Sequence, residues 1–134
     1  MALTVLDAGV LIAVLDADDA HHAAAVGALQ AALEDGDTLA VPASAYAETL
    51  VGPHMRGTEA VGTVDAFLAD LPAEVEPITR QLAKRAAALR ARHGTRLRLP
   101  DAFVVATAQH LKAVRVLTTD SGWPRTDMRV EVIR

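Results

Sequence analysis

The chain contains no cysteine, which excludes disulfide staples, thiolate metal sites and cysteine nucleophiles. Aromatic residues are nearly missing as well: Tyr46, Phe67, Phe103 and Trp123 are all there are, so a core has to be assembled from Ala, Val and Leu. No apolar stretch reaches the ~18 residues that a membrane span requires. The first apolar run has no basic leader of the kind that opens a secretory signal, so a soluble, cytoplasmic protein is expected. The glycines form neither a phosphate loop nor a dinucleotide fingerprint, and no Ser–His–Asp arrangement can be argued. What remains is 134 residues, 51% of them hydrophobic. That is enough for a single domain, 1–134, with one real core.

Apolar runs and breakers alternate along the chain. Residues 2–7 read as a strand and 9–15 as a short buried helix. A helix over 20–34 carries Val26, Leu29 and Leu33 at helical spacing, with Asp18 or Asp19 as its cap and Gly36 as its stop. Thr38–Val41 reads as a strand ended by Pro42. Ser44 then caps or opens a helix bearing Tyr46, Glu48 and Leu50, which Gly52-Pro53 should break. A helix over 58–70, a strand over Val75–Ile78 and a helix from the Thr79 cap to about His93 follow. Pro100 suits the first turn of a helix that is apolar almost all round, 101–108. Strands at 115–119 and at Val130–Ile133 complete an α/β pattern with a mostly parallel sheet.

Four acids occupy special addresses in that pattern. Asp7 and Asp120 close apolar strands, Glu48 lies in an otherwise small and apolar helix, and Asp101 opens the buried helix. Ligands of open parallel sheets bind beyond the carboxyl ends of the strands, where such addresses converge. Each acid has a bland role open to it, as helix cap, dipole partner or turn residue. Jointly they repel: at ~6 Å and an effective dielectric near 20, each pair costs about 3 kcal/mol. A divalent cation is the simplest resolution of that repulsion, which makes the chain look like a metal-dependent enzyme. Asp16, Asp18, Asp19, Glu34, Asp35 and Asp37 fall at helix ends or loops and read as solvated. The adjacent His21 and His22 cannot face one site from a helix.

Charge is unevenly spread. The net value is −4, yet Arg80, Lys84, Arg85, Arg90, Arg92, Arg96 and Arg98 follow one another with no acid among them. Arg80 and Lys84 suit a solvated helix face opposite Leu82, Ala86 and Leu89. Arg96 and Arg98 lie in the loop leading into Asp101, where a basic rim beside an acidic hole suits a polyanion whose scissile phosphate must reach a metal.

The segments Val5-Leu6-Asp7-Ala8-Gly9-Val10-Leu11, the Glu48 helix, Leu99-Pro100-Asp101-Ala102-Phe103-Val104-Val105-Ala106-Thr107-Ala108 and Leu117-Thr118-Thr119-Asp120 resemble, in order and spacing, the PIN-domain nucleases. Among these they look most like the VapC toxins of bacterial toxin–antitoxin pairs. The resemblance implies a three-layer α/β/α fold with a central, mostly parallel five-stranded sheet. It implies an acidic pocket binding Mg²⁺ or Mn²⁺ and cleavage of single-stranded RNA, with Asp7, Glu48, Asp101 and Asp120 as catalytic and metal-binding acids. A homodimer and a VapB-like antitoxin that inserts an arginine among the acids are implied too. Two positions depart from the family pattern. Gly9 stands where Ser, Thr or Asn is usual, and Gly122 where a further acid is frequent. Trp123 fits the place of a packing aromatic.

Rival readings are an RNA-processing nuclease of the same fold, a receiver-type module, a phosphatase, and a non-catalytic binding module. A receiver wants adjacent acids after the first strand, and Asp7 stands alone. A haloacid-dehalogenase-type phosphatase wants a second Asp where Gly9 is found.

Overall fold

In the computed structural model, residues 2–134 are described. The first apolar run forms strand β1 (Leu3–Leu6), in which Thr4, Val5 and Leu6 are fully buried. Helices α1 (Ala8–Leu15) and α2 (His22–Glu34) lead to β2 (Thr38–Pro42), and α3 (Ala43–Arg56) and α4 (Thr58–Asp70) to β3 (Ala73–Glu76). Helix α5 (Arg80–His93), a 3₁₀ turn (Gly94–Arg96) and α6 (Leu99–His110) precede β4 (Arg115–Thr118), and β5 (Val130–Val132) ends the sheet. Among the described residues no helix is long and apolar enough to cross a membrane.

The five strands form one sheet in the order β3-β2-β1-β4-β5, and every pairing is parallel. Burial on both faces explains why the central strands are continuously apolar rather than alternating. The chain runs outward from β1 through β2 to β3, then returns to lay β4 on the other side of β1. The order therefore reverses between β1 and β4, and a crevice opens beyond their carboxyl ends. Leu6 pairs with Leu117 at that boundary, which sets Asp7 beside Thr118.

One cluster of buried side chains joins the sheet to α1, α2, α3, α4 and part of α6. A second, built on Leu82, Ala86, Leu97, Ala102, Val105 and Ala106, fastens α5 to α6. Trp123 and Met128 pack against both. Helix α6 is buried nearly all round, including Val104, Val105, Ala106, Thr107 and Ala108, as its composition predicts. Thr79 caps α5 through Leu82 N–H at 3.1 Å.

Several local expectations are corrected. Helix α3 runs through Gly52-Pro53 to Arg56. Pro53 is buried in the last turns, so packing against α4 outweighs one lost backbone hydrogen bond. Ser44 lies inside the first turn of α3 and caps nothing, its hydroxyl buried without a partner. Helix α2 starts at His22 without a side-chain cap, and Asp19 instead accepts from the His21 N–H at 2.8 Å in the preceding turn. Its buried stripe is Ala25, Leu29 and Ala32, leaving Leu33 exposed. Strand β3 ends at Glu76, before Pro77, which cannot donate to a ladder.

Asp37 is not a solvated loop acid. Its carboxylate accepts from the Thr4 hydroxyl at 2.8 Å and pairs with the Arg115 guanidinium at 3.0 Å, which also pairs with Glu131 at 3.0 Å. This clamp ties the amino-terminal ends of β1, β2, β4 and β5. Replacing Arg115 by Ala would leave a nearly buried carboxylate unpaired, and a loss of about 2 kcal/mol is expected. Thermal or urea unfolding reads it directly, and an unchanged melting curve would show that the clamp carries no stability.

Candidate active site

Each acid reaches the crevice by a different route. Asp7 follows β1 and is the N-cap of α1: its Oδ1 accepts the Ala8 N–H at 2.8 Å. Its Oδ2 accepts the Thr118 hydroxyl at 2.7 Å. The side chain is therefore buried yet held by two donors, one at the positive end of a helix. Asp120 follows β4. Its own N–H donates to the Thr118 hydroxyl at 3.1 Å, while its Oδ1 accepts the Gly122 N–H at 2.7 Å. Glycine at 122 keeps this turn open, since a Cβ there would stand 3.2 Å from that carboxylate oxygen.

Asp101 lies in the first turn of α6, partly buried. Glu48 projects from the second turn of α3 on an exposed face. Their electrostatics show that the four acids share one region. Burial pushes the Asp101 carboxyl up to about 6, with Asp7, Asp120 and Glu48 adding repulsion and Arg98 opposing it. Glu48 is raised by burial and by Asp7, again against Arg98. Asp7 is raised by burial, with Thr118 and Ala8 pulling down and Asp120 pushing up.

Arg98, at the N-cap of α6, thus acts on the acidic region. Arg96 sits exposed in the 3₁₀ turn. Sequence reasoning missed Thr118, whose single hydroxyl links two of the acids. Its signal was present as a hydroxyl residue on the last turn of an apolar strand that ends in an acid.

Among the described residues, no three acidic or imidazole groups already stand close enough to form a finished cation cage. The donors nonetheless suit a hard divalent ion, being carboxylate oxygens; burial first, and the neighbouring acids second, raise three of them.

Two surface grooves flank the acids. One, of about 530 Å³, has Glu48 on its wall with Ile12, Leu15, Pro53, Ala60 and Val64. The other, of about 510 Å³, begins at Asp120 and Ser121 and runs to Arg125. Arg125 also belongs to a neighbouring groove of about 520 Å³, lined by Arg85, Arg92 and His93. Trp123 lines the groove at Asp120 but is also packed on both core clusters, its indole N–H buried without a partner.

An all-parallel sheet with four acids near its reversal point defines an α/β protein with an acidic crevice. The PIN domain family matches residues 4–128, and the chain belongs to that family. No curated protein sequence matches it. Among solved structures, a toxin–antitoxin complex from Klebsiella pneumoniae is similar over 98% of both chains, at 22% identity and a TM-score of 0.71. VapBC2 from Rickettsia felis, bound to a DNA fragment from its promoter, reaches a TM-score of 0.77 at 14% identity, covering 96% of this chain and 97% of that one. VapC20 of Mycobacterium tuberculosis, a Sarcin-Ricin loop cleaving toxin, gives 0.68 at 21% identity over 84% and 86%. At these identities the likeness establishes the fold.

The raised carboxyls set a pH dependence. The folded pKa of Asp101, about 6, exceeds the ordinary 3.8, so between those values the folded chain binds more protons than the unfolded one. Cation-free stability therefore falls as pH rises through that window and is lowest above it. Asp101→Asn should flatten this slope and raise stability at neutral pH by about 1 kcal/mol, a figure reduced for the group's partial exposure. Denaturant unfolding in EDTA at acidic and neutral pH measures both. An identical slope in variant and parent would exclude Asp101 as a titrating group.

Proposed function

We propose that this chain is a Mg²⁺- or Mn²⁺-dependent endoribonuclease that cleaves single-stranded RNA, acting from one domain, 1–134, as the toxin of a VapBC-type pair in the cytoplasm. The observation that carries the reading is the set of mutually repelling acids, Asp7, Glu48, Asp101 and Asp120, gathered where β1 and β4 end in a PIN fold. A divalent cation bound there supplies Lewis acidity toward phosphate and a more acidic water.

The side chains divide the work. Asp7 is the fixed ligand, since both its oxygens are oriented by Ala8 and Thr118. Asp120 is held through its own backbone and by Gly122. Asp101 and Glu48 are less enclosed and would complete the set of carboxylates holding the cation. In the cation's absence Asp101 takes up a proton near pH 6. Arg98 attracts the RNA backbone to the acids. Beyond Asp120, the groove containing Arg85, Arg92 and Arg125 offers positive charge to the flanking strand. Arg96 would join this attraction only at longer range.

RNA cleavage should vanish in EDTA and return with Mg²⁺ or Mn²⁺. Asp7→Asn and Asp101→Asn should each lower it by about a hundredfold or more, beyond what loss of a supporting group costs. Asp35→Asn, at the exposed C-cap of α2, should leave it unchanged. Undiminished cleavage in chelator would sink the metal reading, and equal loss in all three variants would point to stability instead of coordination.

The same proposal includes a homodimer and a VapB-like antitoxin. Val51 and Met55 on α3 are exposed apolar side chains, suited to burial against a partner. The groove bearing Glu48, Ile12 and Leu15 would receive an antitoxin segment, whose arginine pairs bidentately with the carboxylates. Light scattering of the protein with and without its partner tests assembly, and Mn²⁺ titration of the complex tests occlusion. A strict monomer, or unchanged Mn²⁺ affinity in the complex, would contradict this arrangement.

A further inference from the structure

Gly9 stands in the first turn of α1, two residues beyond Asp7. Its φ is not in the left-handed region, so the backbone alone does not require glycine. The neighbour does: a Cβ on residue 9 would overlap the hydroxyl oxygen of Thr119, whose Cβ and methyl lie 3.6 and 3.8 Å away. With Thr119 in this rotamer a side chain at residue 9 cannot be accommodated, so one of the two would have to shift. The Thr119 hydroxyl occupies the place where a side chain at residue 9 would begin.

That hydroxyl has an informative setting. It follows Thr118, whose own hydroxyl is committed to Asp7 and to the Asp120 N–H, and it precedes Asp120. Among the described residues it enters no hydrogen bond, while the residue is partly exposed. An oxygen at the edge of a carboxylate cluster, free to donate and to accept, is suited to water.

We propose that Thr119 is a positioning residue of the acidic pocket, its hydroxyl ordering a water between Asp7 and Asp120 from the space that Gly9 leaves open. The assignment rests on reading the acids as a divalent-cation site, where such an ion keeps part of its water shell. The hydroxyl is thereby mounted on the exit of β4 rather than on α1. Being β-branched, Thr119 is restricted at χ1.

Four variants test this: Thr119→Val, Thr119→Ser, Gly9→Ser and the double variant Gly9→Ser/Thr119→Ala. Mn²⁺ affinity and metal-free melting are measured for each. Thr119→Val keeps the shape and removes the hydroxyl, so Mn²⁺ should bind about tenfold more weakly. Thr119→Ser should bind within about twofold of the parent. Gly9→Ser should lower the melting temperature by about 5 °C through overpacking. The double variant should recover both melting and Mn²⁺ affinity, because the new hydroxyl enters the vacated space. Unchanged affinity in Thr119→Val, equal loss in Val and Ser, or a Gly9→Ser protein that melts like the parent would each overturn the assignment. A parent that binds no Mn²⁺ would overturn the cation reading along with it, whereas normal binding in Thr119→Val overturns the role of Thr119 alone.

Discussion

One buried hydroxyl, that of Thr118, joins the parts on which the crevice depends. It donates a hydrogen bond to Asp7 and accepts one from the backbone N–H of Asp120, so the ends of β1 and β4 are coupled through a single oxygen. The parallel register that pairs Leu6 with Leu117 brings these groups abreast. Asp7 in turn caps α1 through Ala8. A carboxylate is thus kept in a buried place because two donors face it, one from the neighbouring strand and one from a helix end. Burial still raises the Asp7 carboxyl above its ordinary range, and the two donors offset part of that rise.

The two ends of the sheet treat charge in opposite ways. At the amino-terminal end, Asp37 and Glu131 share the Arg115 guanidinium, and Thr4 completes the shell of Asp37. At the carboxyl end, the acids repel one another and Arg98 offers only partial relief. The first arrangement is internally satisfied and structural. The second is left short of positive charge, which is the condition for binding a cation and is maintained at some expense in stability.

The surface around the acids continues in two directions. On the side of Glu48 the groove mixes Ile12, Leu15, Pro53 and Val64 with Asp16, Thr49, Arg56 and Thr63. On the side of Asp120 it passes Arg125 toward Arg85 and Arg92.

The order of strands and helices was legible in the chain because each element carries a local signature. The buried run after Pro100, the Thr79 cap and the apolar strands ending at Asp7 and Asp120 depend on nearest neighbours and periodicity. The same runs, read with the rule that parallel sheets bind ligands at their carboxyl ends, singled out the four acids and gave each its address. Other features are pairwise and distant in sequence. Asp37 looks like a loop acid until β4 delivers Arg115, and Pro53 looks like a breaker until α4 packs on its helix. Thr118 becomes a joint, and Gly9 a socket for Thr119, only when β4 is laid beside β1. Periodicity specifies which face of an element is apolar, but a hydrogen bond between residues 111 positions apart exists only after the sheet has closed the distance.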